Sequence, residues 1–339
     1  MSKEIINNFA YSKTGWQTFV NCRREHGLRR VDFWKGWERS APEGKRISYL
    51  LSKMTSYDRE AGSLVHQIIE EVLAGSILEV DSALWELRNR WGKSIGASRR
   101  REWLIYGPKK VPPFEEHYYE TAGDEERMKA KALRALSKAE TCIRNFFTIS
   151  DFPTPDGKER GTLLERLRPA YQLQVEELDS FAIRPTDGPE LKVWSKPDLA
   201  IQLFHDPWGV HGEIYDWKTG EPRPEDREQL LTYVLFAVRK WNFQPGKIRV
   251  VSVYLKDKQV IEDVPDAHEL GRMAEEILER GNEMRAIHQN QPQIYPTVFR
   301  PEEWPRTEDP RQCQKCDFFH RCRGHLDRSN PTNAPGFEV

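Results

Sequence analysis

Three residues stand out for the chemistry they could do together: Asp198, Asp216 and Lys218. Pro197-Asp198 opens an apolar run over residues 199–204, and Asp216-Trp217-Lys218 closes an alternating run that begins at Glu213. Residues 205–212 between them carry the Pro and Gly of a connection. The two runs predict strands folded as a hairpin, which returns Asp216 to Asp198. Strand side chains repeat every two residues, so Lys218 leaves the same side as Asp216, while Glu213 and Tyr215 leave the side opposite Ile214. Two carboxylates hold a hard divalent cation such as Mg²⁺ or Mn²⁺ through oxygen. Such a cation polarises a phosphodiester and lowers the pKa of a bound water. The lysine can orient that water or offset charge growing on phosphorus. The plain alternative is a surface hairpin with scattered charges. The coincidence of Pro-Asp, the spacing and the closing Thr219-Gly220 argues against it.

A second set lies in the cysteines. Cys313, Cys316 and Cys322 cluster near the end, Cys22 lies near the start, and Cys142 stands alone. The tail spacing suits zinc with His320 or His325 as fourth ligand. It equally suits an iron–sulfur cluster with Cys22 as the fourth thiolate. Spacing alone does not separate the two. Joining Cys22 to Cys313 would close a loop of ~290 residues. Cys142 falls on the apolar face of a predicted helix and reads as core.

A third set is basic. Over residues 88–110, Arg88, Arg90, Lys93, Arg99, Arg100, Arg101, Lys109 and Lys110 face one acid, Glu102, with Trp91, Trp103 and Tyr106 among them. Cations beside flat aromatics suit phosphate contact and base stacking. A solvated face with its aromatics in the core is an equal reading.

The elements that must position these residues follow from periodicity. Residues 11–26 predict a short helix with Thr14 as its cap. Residues 58–73 predict an amphipathic helix with Val65, Ile68, Ile69 and Val72 buried. On it His66 and Glu70 share a face, and Glu70 could steady the imidazole. Residues 125–147 predict a helix, 150–161 a loop, and 171–176 a strand. Residues 225–240 predict a helix with Gln229 and Tyr233 on one side. There they could bond a substrate backbone or orient catalytic groups. Residues 248–255 predict a buried strand and 266–289 a long helix.

The chain has 339 residues, of which 31% are charged, with a net charge of -1. It is no polycation, so any nucleic-acid surface must be local. No apolar run approaches ~18 residues, which excludes a membrane span, and no leader-like segment opens the sequence. Five cysteines in this length are no disulfide scaffold. The expectation is a soluble, cytoplasmic protein. There is no Gly-x-x-x-x-Gly-Lys-Ser/Thr loop, so any ATP-driven motor would be another protein.

Pro197-Asp198 with Asp216-Trp217-Lys218 resembles the signature of the PD-(D/E)XK nuclease superfamily. Gln229 and Tyr233 resemble the Gln-x-x-x-Tyr motif of its RecB-like branch. Gly62 to His66 resembles that branch's Gly-x-x-x-His, which implies that His66 is a metal ligand. The start of the chain and the cysteine tail resemble CRISPR-associated RecB-like exonucleases and AddB-type nuclease domains. The resemblance implies an α/β, restriction-endonuclease-like mixed sheet flanked by helices, with a helical insertion and a cysteine-cluster tail joined to the N-terminal helix. The expected organisation is N-terminal helices over 1–75, a partly basic helical insertion over 76–160, the catalytic core over 161–290 and the cysteine tail over 291–339.

The resemblance also implies a metal-dependent DNA nuclease, an exonuclease of repair, recombination or phage defence. Mg²⁺ or Mn²⁺ would sit on His66, Asp198, Asp216 and the carbonyl of Trp217. Lys218, Gln229 and Tyr233 would assist, and a [4Fe-4S] cluster, with zinc as the alternative, would sit on Cys22, Cys313, Cys316 and Cys322. Nucleic acid would meet Arg99, Arg100, Arg101, Lys109 and Lys110, and a helicase or ATPase could act in trans. The competing class is a non-catalytic nucleic-acid-binding or accessory subunit of a helicase–nuclease complex.

Overall fold

The computed structural model describes residues 8–119, 124–153, 160–167, 173–175, 179–202, 210–289 and 299–323. In chain order the helices are α1 (Lys13–Asn21), α2 (Arg23–Gly27), α3 (Glu43–Ser52), α4 (Tyr57–Leu73), α5 (Val80–Arg99), α6 (Trp103–Tyr106), α7 (Glu115–Tyr118), α8 (Glu125–Thr148), α9 (Leu163–Leu167), α10 (Pro224–Lys240), α11 (Ala267–Gln289), α12 (Pro310–Lys315) and α13 (Phe319–Arg323). The strands are β1 (Ser150–Pro153), β2 (Arg160–Thr162), β3 (Leu173–Val175), β4 (Asp179–Ile183), β5 (Leu191–Ser195), β6 (Leu199–Gln202), β7 (Gly212–Lys218), β8 (Ile248–Tyr254) and β9 (Gln259–Asp263). Two compact units share them. One comprises Met1–Ser56, Ile95–Ala122 and Glu279–Val339, the other Tyr57–Ser94 and Gly123–Leu278.

The second unit is built on a mixed five-stranded sheet in the order β3-β6-β7-β8-β9, flanked by helices. The expected hairpin is there: β6 and β7 pair antiparallel, with Leu199 opposite Tyr215. β8 lies parallel to β7, with Ser252 opposite Asp216. A parallel neighbour requires a crossover, and α10 supplies it. Every residue of β7 except Lys218 is buried, as expected for a central strand covered on both faces. Asn145 on α8 donates to the carbonyls of Leu255 and Lys256 at 2.7 and 2.8 Å, which docks α8 beyond the end of β8. On the same helix Cys142 is buried between Ala139 and Phe146, as its periodicity requires.

Alternation along β7 correctly pairs Glu213 with Tyr215, but both side chains are buried. Arg166 of α9 pairs with Glu213, Arg249 reaches the same carboxylate at 3.1 Å, and the Tyr215 hydroxyl donates to it at 2.8 Å. Such a charge is tolerable inside a protein only with partners on every side. Its two cationic partners come from α9 and β8, so nothing near Glu213 in the sequence announces them.

The structure corrects several local expectations. Ser12, not Thr14, caps α1: its hydroxyl accepts from the Gly15 N–H at 3.1 Å. The single helix expected over 11–26 breaks at Cys22, which is extended, and α2 starts after it. The loop expected over 150–161 begins and ends in β1 and β2, paired antiparallel with Ser150 opposite Thr162, and its centre lies outside the described residues. Of the strand expected over 171–176, β3 is described.

The first unit gathers an early and a late segment of the chain around Trp304, whose side chain is fully buried. Gly27 allows this, because a Cβ there would come within 2.6 Å of the indole. Arg24 ties in the tail through its backbone, its N–H donating to the Pro305 carbonyl at 3.0 Å. Arg29 pairs with Asp317 at 2.7 Å, and the Tyr119 hydroxyl donates to the Asp317 carbonyl at 2.6 Å.

Beside Trp304, His26 and His288 meet through their Nε2 atoms at 3.1 Å, and His26 Nδ1 lies 3.0 Å from the Gly15 carbonyl. His117 is buried against Ser98. Burial pushes all three imidazoles down; the neighbouring His288 adds to the effect at His26, and Arg99 at His117. His117 and His288 fall to about 4. A histidine kept neutral when folded takes its proton more readily once unfolded. Its contribution is therefore whole above pH ~6.5 and is lost as pH falls toward 4. The melting-temperature advantage of the wild type over His117→Gln is expected to shrink from pH 7 to pH 4.5, and a pH-independent difference would contradict a buried neutral His117.

Candidate active site

The second unit brings the hairpin residues to one place. Asp198 lies just before β6 and is 9% exposed, while Asp216 in β7 is 2% exposed. One oxygen of Asp198 accepts from the Trp217 N–H at 2.8 Å; the other lies 3.1 Å from Nδ1 of His66 on α4. His66, 132 residues upstream, is thus delivered to the hairpin by the amphipathic helix expected to carry it. Its Nδ1 thereby meets one of the two hairpin carboxylates. Trp217 itself is buried, stacked on Tyr215 and edge-on to Phe146.

Lys218 lies on the same side of β7 as Asp216, with its Nζ 2.7 Å from Oδ2. It donates at 2.8 Å to the carbonyl oxygen of Gln229, whose amide nitrogen donates to the Tyr233 hydroxyl. α10 therefore fixes the lysine through its i, i+4 pair. Asp226, one turn earlier, stands 3.5 Å from the ammonium and accepts from the Tyr254 hydroxyl at 2.9 Å. Sequence reading missed Asp226. Its signal was its position, three residues before Gln229 on the same predicted helix.

Burial and then the adjacent Asp198 push Asp216 up to about 7, against the pull of Lys218 and His66. Burial alone would lower Lys218, but Asp216, with Asp226 and Asp198 behind it, outweighs burial and raises it. The site thus holds a firm ammonium beside a carboxyl that gives up its proton reluctantly.

Among the described residues no three His, Cys, Asp or Glu side chains are already drawn together as a finished metal shell. The donors are instead engaged with one another. Oδ2 of Asp216 is buried, and the described group it meets is the Lys218 ammonium at 2.7 Å. Two carboxylates and an imidazole around such an oxygen fit a hard divalent cation.

In the first unit, Cys22, Cys313, Cys316 and Cys322 line one small cavity together with Glu25 and Arg323. N–H groups of Glu25 and Thr307 point at the Cys22 sulfur at 3.5 Å, that of Phe318 at Cys316 at 3.3 Å, and the Arg323 guanidinium at Cys313 at 3.3 Å. Burial, then Glu25, raises the Cys316 thiol, and burial raises Cys322. Donors aimed at sulfur suit thiolates, and a bound metal would supply the charge that burial withholds. His320 packs on Tyr118 and Tyr119, with centroids 6.1 and 4.5 Å away, and is not among the residues lining this cavity. His325 lies outside the described residues.

The basic stretch divides. Arg88 pairs with Glu140 at 2.6 Å and Arg90 with Glu71 at 2.7 Å, so acids remote in sequence neutralise its first part. Trp91 and Trp103 are buried, which corrects their reading as stacking platforms. Arg99, Arg100, Arg101, Lys109 and Lys110 are exposed in the first unit, as is Tyr106.

The sheet, the hairpin and the paired acids with their lysine define a nuclease fold of one kind. The description of the PD-(D/E)XK nuclease superfamily matches residues 10–323, and the chain belongs to that superfamily. No curated protein matches it. Among solved structures it is similar to one described as "Crystal structure of SSO0001", at 13% identity over 57% of this chain and 75% of that one. The TM-score is 0.28, and nothing is argued from that likeness. No described helix is long and apolar enough to cross a membrane.

Proposed function

We propose that this nuclease is a Mg²⁺- or Mn²⁺-dependent deoxyribonuclease of the RecB-like branch. It would be a cytoplasmic exonuclease in repair, recombination or phage defence, working with a helicase or other protein in trans. The observation that supports the reading is the meeting of His66, Asp198, Asp216 and Lys218 at the end of one hairpin. His66, Asp198, Asp216 and the Trp217 carbonyl are the proposed ligands. When bound, the cation polarises the phosphodiester and acidifies a water. Lys218, held by Gln229 and Tyr233, orients that water and offsets charge growing on phosphorus. Cys22, Cys313, Cys316 and Cys322 are proposed to hold a [4Fe-4S] cluster that ties residues 1–75 to the tail over 291–339. Purified protein is expected to cut end-labelled DNA with Mn²⁺ and to stop on EDTA. Binding without cutting, under every metal, would favour the accessory-subunit reading.

The exposed cations of the first unit are proposed to contact phosphates. Replacing Arg99, Arg100 and Arg101 together by glutamine is expected to weaken duplex DNA binding. It should also flatten the plot of log affinity against log salt by roughly 2 to 3, about 0.9 for each phosphate no longer neutralised. An unchanged slope would leave these arginines as a merely solvated face.

A further inference from the structure

We propose that the outer face of β5, with the groove beside it, is a track for single-stranded DNA that leads to Asp198; it rests on the nuclease reading above. β5 alternates buried and exposed, so Lys192 and Trp194 point outward, and exposed Lys196 continues the line just beyond it. Pro197 and Asp198 follow at once. Trp194 is 37% exposed, and Lys192 Nζ stands 4.1 Å over its ring. An outward tryptophan between two lysines is more than the ordinary polar face of a hairpin. A base can stack on the ring while the lysines reach the phosphates on either side. At ~3.3 Å per residue, Lys192 and Asp198 are ~20 Å apart along an extended chain, which is the scale of a few nucleotides.

The groove extends the track. It measures about 500 Å³ and is lined by Phe181, Arg184, Glu190, Lys192, Arg239 and Lys240. Arg239 and Lys240 end α10, the helix that also carries Tyr233 and Gln229, ~9 and ~15 Å from Arg239 at 1.5 Å per residue. One rigid helix thus serves both the lysine of the site and the groove. Across β5 and the groove, Arg184, Lys192, Lys196, Arg239 and Lys240 outnumber Asp179 and Glu190. Lys240 pairs with Asp179 at 2.6 Å and Arg184 with Glu190 at 2.7 Å, both near the surface. Exposed pairs of this kind hold weakly and can exchange a carboxylate for a phosphate. The charge and the flat ring together select a nucleic-acid strand with accessible bases over a paired duplex.

The test is anisotropy of a labelled 20-mer of thymidine with the full chain in EDTA, at three salt concentrations. A closed-hairpin duplex serves as comparison. Trp194→Ala is expected to weaken 20-mer binding about tenfold, and Trp194→Phe to restore most of it. Lys192→Gln with Arg239→Gln is expected to reduce the salt slope by about 1.4, at ~0.7 per phosphate on a single strand. Unchanged affinity and slope in all variants would overturn the track and, if the wild type still cuts DNA with Mn²⁺, would leave the nuclease reading standing. Equal losses on the closed duplex would overturn the single-strand assignment. A wild type that neither binds the 20-mer nor cuts any DNA would overturn both.

Discussion

Asp216→Asn is expected to lower DNA cleavage by ~10³-fold or more and, in metal-free protein at pH 8, to raise the melting temperature. The two effects have one origin. Asp216 is buried beside Asp198, and its carboxyl is pushed up to about 7. An acid whose folded pKa is raised binds its proton more tightly folded than unfolded. Stability is therefore greatest below its unfolded pKa near 4 and declines as pH rises through 7. Asparagine removes that decline. It also removes a carboxylate that the cation needs, and losses of 10²–10⁴-fold are common when one such group goes. Lys218→Ala gives the opposite pairing. Cleavage falls by a similar factor, but stability falls too, because Asp216 loses the ammonium 2.7 Å away and stays buried. Added Mn²⁺ should raise the melting temperature of the wild type more than that of Asp216→Asn. The measurements are cleavage rates and melting curves at pH 5 and pH 8, with Mn²⁺ or EDTA. Wild-type cutting by Asp216→Asn would remove Asp216 from the reaction, and a lower melting point at pH 8 would show that its charge is not under strain.

What could be read in the sequence was whatever period and spacing encode. Period two placed Asp216 and Lys218 on one side of a strand, and period 3.6 placed Gln229 above Tyr233. Both survive in the geometry, with Gln229 linking Lys218 to Tyr233. The gap between Asp198 and Asp216 named a hairpin, and β6 and β7 form it. Partnerships between remote segments were not legible. Nothing near Glu213 points to Arg166 or Arg249, and nothing near Arg90 points to Glu71. His66 was legible only through a resemblance, since a lone histidine on an amphipathic helix carries no address. For Trp91 and Trp103 the sequence left stacking and core as equal readings, and the fold uses their large apolar rings as core. Ser12 took the cap expected of Thr14 because its hydroxyl meets the Gly15 N–H at 3.1 Å, a placement that only backbone geometry makes.

Cys22→Ser is expected to bleach the protein and to destabilise the first unit by on the order of 5 kcal/mol. Cys22 separates α1 from α2, and its sulfur accepts from the Thr307 N–H at 3.5 Å, so the start of the chain already touches the tail at this atom. A metal shared with Cys313, Cys316 and Cys322 would convert that contact into a covalent closure of a ~290-residue loop, whose entropy the unfolded chain would regain on losing one ligand. Anaerobically purified wild type should be brown and contain about four irons. Cys142→Ser is the control. Its thiol is buried on α8 in the other unit, raised to about 11 by burial, and should leave colour and iron unchanged. Iron content, absorbance and melting temperature of the three proteins decide the matter. A colourless wild type with one zinc, indifferent to Cys22→Ser, would give the metal to the three tail cysteines and a fourth ligand other than Cys22. The bonds of Arg24 to Pro305 and Arg29 to Asp317 would then be what joins the ends, and Arg29→Met, not Cys22→Ser, would be the variant that loosens the unit.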